Sequence, residues 1–259
     1  MRKNILPFIS LCCVVLFLTF GCDSMKSNTD AKTALLYLDL SRDHLDKGNK
    51  QDALAALLKA EKLDEKNKEI LNQLGLTYFS FKKYALAEKY FSRALSEDSS
   101  YTESRNNLAR VQIELGKTQS ARDELHIVLE DLTFKNTANA FLNMGLSYFR
   151  DKNYKTAIHY LEKSLKQNPS SCFTMTTYGR CFYELNNFTK AINLFDVAMP
   201  LCQKLNSDEA HYFGALSYFK SGQRSKGIAL MNETILLYHQ GEYEKKSRDM
   251  LELMKLNKL

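Results

Sequence analysis

The chain has no tryptophan, and its 259 residues include only three prolines and ten glycines. So few helix breakers, in a chain rich in Ala, Leu, Lys and Glu, exclude a turn-rich β architecture and point to an all-helical protein. Signatures of chemistry are missing as well. There is no His-Glu-x-x-His, Cys-x-x-Cys, Gly-x-Ser-x-Gly or phosphate-loop pattern, and His44, His126, His159, His211 and His239 are scattered. The expectation is a protein that is not an enzyme, with no cofactor, no metal site and no small-molecule substrate. A one-signed charge field is also lacking. Lysine and arginine number 36 against 30 acidic residues, a formal +6, and the excess falls to +4 without Arg2 and Lys3. It is spread along the chain without a basic stripe, so nucleic acid is not an expected partner.

The one long apolar run lies at the start. Met1-Arg2-Lys3 is followed by Ile5 to Phe20, broken only by Pro7, Ser10 and Thr19 and ending at Gly21-Cys22. The run is short for a membrane-spanning helix and reads as a cleavable export signal over 1–21. Leu18-Thr19-Phe20-Gly21-Cys22 resembles a bacterial lipobox, which implies that Cys22 becomes the acylated first residue. The alternative is an ordinary signal, or an uncleaved anchor in which Cys22 is incidental. One acyl chain, at about 0.8 kcal/mol per buried methylene, holds a protein only marginally, so the two or three chains of a lipoprotein are what make the anchor stable. Asp23 follows; in enteric bacteria an aspartate there favours retention in the inner membrane. Residues 22–33 form the acylated terminus and a polar tether.

The remainder repeats itself. Small residues recur at Ser41, Gly75, Ala109, Gly145, Gly179 and Ala215, at intervals of 34, 34, 36, 34 and 36. A parallel ladder, Ala53, Ala87, Ala121, Ala157, Ala191 and Gly227, has the same intervals. Large residues keep register with them, as in Leu71, Leu74, Tyr78 and Phe91 of the second copy. This pattern resembles the tetratricopeptide repeat (TPR), in which each copy is a helical hairpin closed by small residues where the paired helices meet. The resemblance implies an all-α, right-handed superhelix (α-solenoid) of six TPR hairpins, at 34–67, 68–101, 102–135, 138–171, 172–205 and 208–241. Residues 242–259 are expected to supply a capping helix and tail. Asp151-Lys152-Asn153, Leu185-Asn186-Asn187 and Ser221-Gly222-Gln223 are predicted turns within hairpins.

In this family the first helix of each hairpin lines the concave face with positions 2, 5, 9, 12 and 13. Here those positions supply a predicted groove for a protein partner: Leu38, Leu45, Asn72, Leu76, Phe79, Asn106, Arg110, Leu142, Leu146 and Phe149. Tyr183, Tyr212, Leu216 and Phe219 continue the same stripe. Burial against the next hairpin is the competing reading for each of them. Cys172 is repeat position 1 and Cys202 position 31, so the ends of two antiparallel helices bring them together and predict a disulfide. Cys181 lies nine residues further along its helix, about 13 Å away at 1.5 Å per residue. Three reduced, buried cysteines are the alternative.

The stretch Leu129 to Leu146, which carries the two extra residues between the third and fourth copies, resembles one subfamily, as do Arg105-Asn106-Asn107-Leu108 and Tyr160 to Leu165. That subfamily is the type IV pilus biogenesis lipoproteins called PilF, PilW or Tgl. Membership implies a pilotin: a lipoprotein on the periplasmic face of the outer membrane that binds the pilus secretin and lets it multimerise. The inner membrane is the alternative location because of Asp23. A general envelope scaffold, serving outer-membrane protein assembly or cell-wall enzymes, is the alternative function. Replacing Cys22→Ser is expected to move the protein from membranes to the soluble periplasmic fraction. Detergent partitioning that is unchanged by the substitution excludes acylation at this position.

Overall fold

The computed structural model describes residues 29–239 and 241–256. The signal segment 1–21, Cys22 and most of the tether lie outside the described residues. Among the described residues there are thirteen helices and no strand. They fall into two compact units, the first ending at Asn107 and the second beginning at Leu108.

The first unit holds α1 (29–46), α2 (Lys50–Leu63), α3 (Lys68–Ser80), α4 (Tyr84–Glu97) and the start of α5 (Thr102–Glu114). Its core gathers Ala34 and Leu38 of α1, Leu57 and Ala60 of α2, and Ile70 and Leu74 of α3. Burying each such leucine or isoleucine contributes about 1.5–3 kcal/mol. Asn67 caps α3 by accepting from the Glu69 and Ile70 amides at 3.1 and 3.3 Å.

The second unit continues with α6 (Thr118–Glu130), α7 (Thr137–Arg150), α8 (Tyr154–Gln167), α9 (Cys172–Glu184), α10 (Phe188–Gln203), α11 (Glu209–Lys220), α12 (Arg224–Leu237) and α13 (Glu244–Lys255). Helices α7 and α8, α9 and α10, and α11 and α12 pack as antiparallel hairpins. Leu251 and Met254 of α13 join Tyr212, Ala215, Leu216, Phe219 and Met231 in one buried cluster. His211, whose pKa burial holds below the usual histidine value, faces the Tyr238 hydroxyl across 3.0 Å.

Two local devices account for the period. The first is a left-handed residue closing the first helix of each pair: Gly48, Lys82, Gly116, Lys152, Asn186 and Gly222 all have positive φ. They recur at 34, 34, 36, 34 and 36 residues, in step with the small-residue ladders. Lys83 N–H reaches back to the Tyr78 carbonyl at 2.9 Å and Lys82 N–H to Phe79 at 2.8 Å, satisfying carbonyls that a helix end leaves open. The second device is close approach inside the hairpin. A Cβ on Gly75 would stand 2.6 Å from the Phe91 ring, one on Gly145 2.7 Å from Leu161, and one on Gly179 2.8 Å from Phe195.

Gly227 shows the same constraint more severely. The matching position is alanine in the other copies, but a Cβ here would lie 2.8 Å from both the Ala215 carbonyl and the Phe219 backbone nitrogen. Backbone cannot swing aside as a side chain does, so α11 and α12 have closed to a separation that admits only glycine. Gly227→Ala gains roughly 1 kcal/mol of helix propensity and incurs an overpacking cost of about 1–3 kcal/mol. The expected outcome is net destabilisation, read as a lower urea midpoint for the transition that reports α11–α13. A raised midpoint would show that the two helices separate freely.

Candidate protein-binding face

The first helix of each pair carries the stripe predicted to receive a partner, and the structure divides that stripe by depth. In the first unit Leu38 is 1% exposed and sits in the core with Ile70 and Leu74. It does not line an open face: position 5 turns towards the neighbouring hairpin, which corrects its assignment to the groove. Asn72 and Asn106, also at position 5, are 8% and 7% exposed. The Asn72 side-chain oxygen accepts from the Asn107 amide nitrogen at 3.1 Å. Leu45, Leu76 and Phe79 are half-buried, and Phe79 packs its ring against Tyr84 with centroids 5.4 Å apart. Arg42, between Leu38 and Leu45, stands 3.6 Å from Glu69.

In the second unit Arg110, Leu142, Leu146 and Phe149 are half-buried. Arg110 pairs with Glu114 at 2.9 Å, and Glu114 also receives Arg150. Phe149 meets Tyr154 at 5.4 Å, and Tyr183 meets Phe188 at 5.7 Å and Phe213 at 5.5 Å. Tyr212, Leu216 and Phe219 are buried at 7%, 4% and 5%, in the cluster completed by Leu251 and Met254. The last third of the predicted stripe is therefore core, and α13 is the reason.

One residue absent from the predicted groove organises this part of the face. The Arg180 guanidinium lies between the rings of Phe149 and Phe213, 4.6 Å from each centroid, and its Nη1 donates to Glu209 at 2.5 Å. Tyr243 donates its hydroxyl to the same carboxylate at 3.3 Å. Burial, and then the Glu209 charge, raise the Tyr243 pKa, so the phenol stays a neutral donor. A stacked, charge-paired arginine of this kind holds α7, α9 and α11 in fixed relation at about 0.5–2 kcal/mol per ring contact. Its signal was present in the sequence. Position 9 reads Arg42, Leu76, Arg110, Leu146, Arg180, Leu216, an alternation with a period of two copies. In two of the three arginine copies the partner is the glutamate at position 2 of the next copy, Glu69 or Glu209.

The sulfur atoms of Cys172 and Cys202 stand at bonding distance, with their Cα atoms 5.0 Å apart. Cys181 is a free, buried thiol whose pKa is pushed up to about 12 by desolvation. Among the described residues no cluster of three or more His, Cys, Asp or Glu side chains is arranged to hold a metal ion. No described helix is long and apolar enough to cross a membrane.

Comparison with known proteins agrees with this geometry. Tetratricopeptide-repeat family models match residues 38–102 and 78–133, and the model for anaphase-promoting complex (cyclosome) subunit 3 matches 125–198. The type IV pilus assembly protein PilF of Pseudomonas aeruginosa is 24% identical over 172 residues, covering 66% of this chain and 68% of its own. Its solved structure superposes with a TM-score of 0.66 at 19% identity, over 86% of this chain and 99% of that one. PilW, described as a widely conserved type IV pilus biogenesis factor, gives 0.71 at 18% identity, over 82% and 97%. Cut9 of the anaphase-promoting complex gives 0.75 at 15% identity, over 89% of this chain but 45% of that one. The fold is that of a TPR solenoid, similar to those of PilF and PilW.

The half-exposed apolar residues of the first unit can be separated from core by experiment. Leu76→Glu combined with Phe79→Glu is expected to leave helical circular dichroism intact. Capture of a protein partner should weaken at least roughly tenfold, since anchors of this type contribute about 2 kcal/mol or more. Loss of the helical signal would instead place both side chains in the core.

Proposed function

We propose that this chain is a lipid-anchored TPR scaffold of type IV pilus biogenesis, acting as a pilotin for the pilus secretin. The observation that carries the reading is the relation to PilF, which extends over two-thirds of both sequences, 66% and 68%. The likeness to PilF and PilW also takes in nearly all of those two structures, 99% and 97%. Cut9, by contrast, is matched over less than half its length.

The half-buried stripe suits the role. In the first unit Leu76 and Phe79 offer apolar contact; in the second, Leu142, Leu146 and Phe149 do so, and Arg110 and Arg180 interrupt it with charge that selects register. In the proposed mechanism a segment of the partner lies on such half-buried first-helix residues while acyl chains on Cys22 hold the complex at the lipid surface. The location is the periplasmic face of the outer membrane; Asp23 makes the inner membrane the alternative. Export would keep Cys172 and Cys202 oxidised, stabilising their hairpin by about 2–4 kcal/mol.

Deleting the gene is expected to leave secretin monomers at normal abundance, few detergent-resistant multimers and no surface pili. Immunoblots of unheated membrane extracts read the outcome. Normal multimers in the deletion strain would overturn the pilotin reading in favour of a general envelope scaffold, as would a purified complex that lacks secretin.

A further inference from the structure

The first pair differs from the later pairs on the face along which pairs stack. Repeat positions 3, 7 and 10 of the first helix form that face. In the second copy they are Ile70, Leu74 and Thr77, and in the fourth Ala140, Met144 and Ser147, all buried. The fifth copy buries Thr174, Tyr178 and Cys181 in the same way. What covers the face is the second helix of the preceding pair. Ile70 and Leu74 share a cluster with Leu57 and Ala60 of α2, and Ala140 and Met144 share one with Leu125 and Val128 of α6.

In the first copy the same positions hold Leu36, Leu40 and Asp43, and among the described residues no pair precedes α1. Leu36 is 69% exposed and Leu40 43%. Leu40 also stands at an open cleft between α1 and α2, lined by Tyr37, Ala55 and Ala56. A terminal repeat that ends in water presents a polar outer face. Here only position 10 is polar, while positions 3 and 7 keep leucine.

We infer that a second copy of this chain covers this face, α1 packing on α1 in antiparallel register. Thr33, Leu36, Leu40 and Asp43, all exposed, follow steps of three, four and three residues, the spacing of a coiled-coil seam. Turned antiparallel on itself, the seam sets Leu36 opposite Leu40 of the second copy and Thr33 opposite its Asp43. The same operation matches charge. Lys32, which has no acidic partner among the described residues, comes beside Asp43 of the second copy, and two-fold symmetry makes the contact twice. Asp43 holds Lys47 of its own chain at 2.7 Å, and Asp39, the other acid flanking the seam, is neutralised by Arg42 at 2.8 Å. A parallel pair would instead set Asp43 against Asp43. The stretch Asp23 to Asn28 carries one apolar side chain, Met25, too few to cover both leucines.

The test uses two tagged forms of the full chain co-expressed in cells, one Thr33→Cys and one Asp43→Cys, oxidised in place and resolved without reduction. The expected product is a disulfide-linked dimer carrying both tags, above the level of the chain with no added cysteine. Like forms should not bridge, because position 33 of one copy lies about 15 Å along the axis from position 33 of the other, at 1.5 Å per residue. Leu36→Asp with Leu40→Asp in both forms should abolish the dimer and leave helical circular dichroism unchanged. A charge exchange keeps the leucines in place and so stays independent of folding. Lys32→Glu and Asp43→Lys chains should each co-purify with their own kind about threefold or more below the parent chain, and recover when mixed with each other. No mixed dimer, like forms that bridge as well as mixed ones, or charge variants that fail to recover on mixing overturn the inference. Bridging of Thr33→Cys to a protein of another mass assigns the face to a different partner. Its shielding from maleimide without any bridge assigns the face to the upstream segment, and either result overturns the inference.

Discussion

Everything in this chain follows from how closely two antiparallel helices can approach. At Gly75, Gly145 and Gly179 the first helix offers no side chain, and Phe91, Leu161 or Phe195 of the second helix fills the space directly over the backbone. That contact sets the separation of the pair and so the tilt at which the next pair must stack. Because the large residue lies over bare backbone, the cost of an error is steric and immediate. A repeat can vary almost everywhere else and keep its shape, which is why 15–24% identity accompanies likeness to proteins as different as PilF, PilW and Cut9.

Stacking leaves a face on the first helices that is neither core nor solvent. Its character is set by what lies beyond each hairpin. Within the first unit, position 5 is consumed by the neighbour, as with Leu38 against Ile70 and Leu74. In the second, α13 closes over Tyr212, Leu216 and Phe219. Elsewhere within each unit the first helices stay half-open, with rings braced within their hairpins, Phe79 on Tyr84 in the first unit and Phe149 on Tyr154 in the second. Bracing matters for recognition: an aromatic side chain already held in place loses little freedom when a partner covers it.

The all-α class, the period, the turns and the cysteine geometry were readable from the residues alone, because each depends on local chemistry repeated at a fixed interval. The turns at Lys82, Lys152 and Asn186 are instructive: no glycine marks them, yet the spacing does. Depth on the concave stripe was not readable. Leu38 and Leu142 occupy the same repeat position, but one is core and the other half-open, since burial there depends on the adjacent hairpin. Arg180 was missed for a related reason. Its rings, Phe149 and Phe213, come from helices on either side, and no single copy contains the sandwich. Only the two-copy alternation at position 9 hints at it.

The sulfur pair at Cys172 and Cys202 has a consequence in mechanics. Under tension a stacked repeat yields by shedding hairpins one at a time. Each hairpin that unravels adds its full contour to the slack. Joined sulfurs short-circuit the 30-residue segment from the start of α9 to the end of α10, withholding about 100 Å of extension at roughly 3.5 Å per residue. Once joined, the pair would act as a stop within the second unit. Tension that frays the helices around it would not extend the chain between the two cysteines.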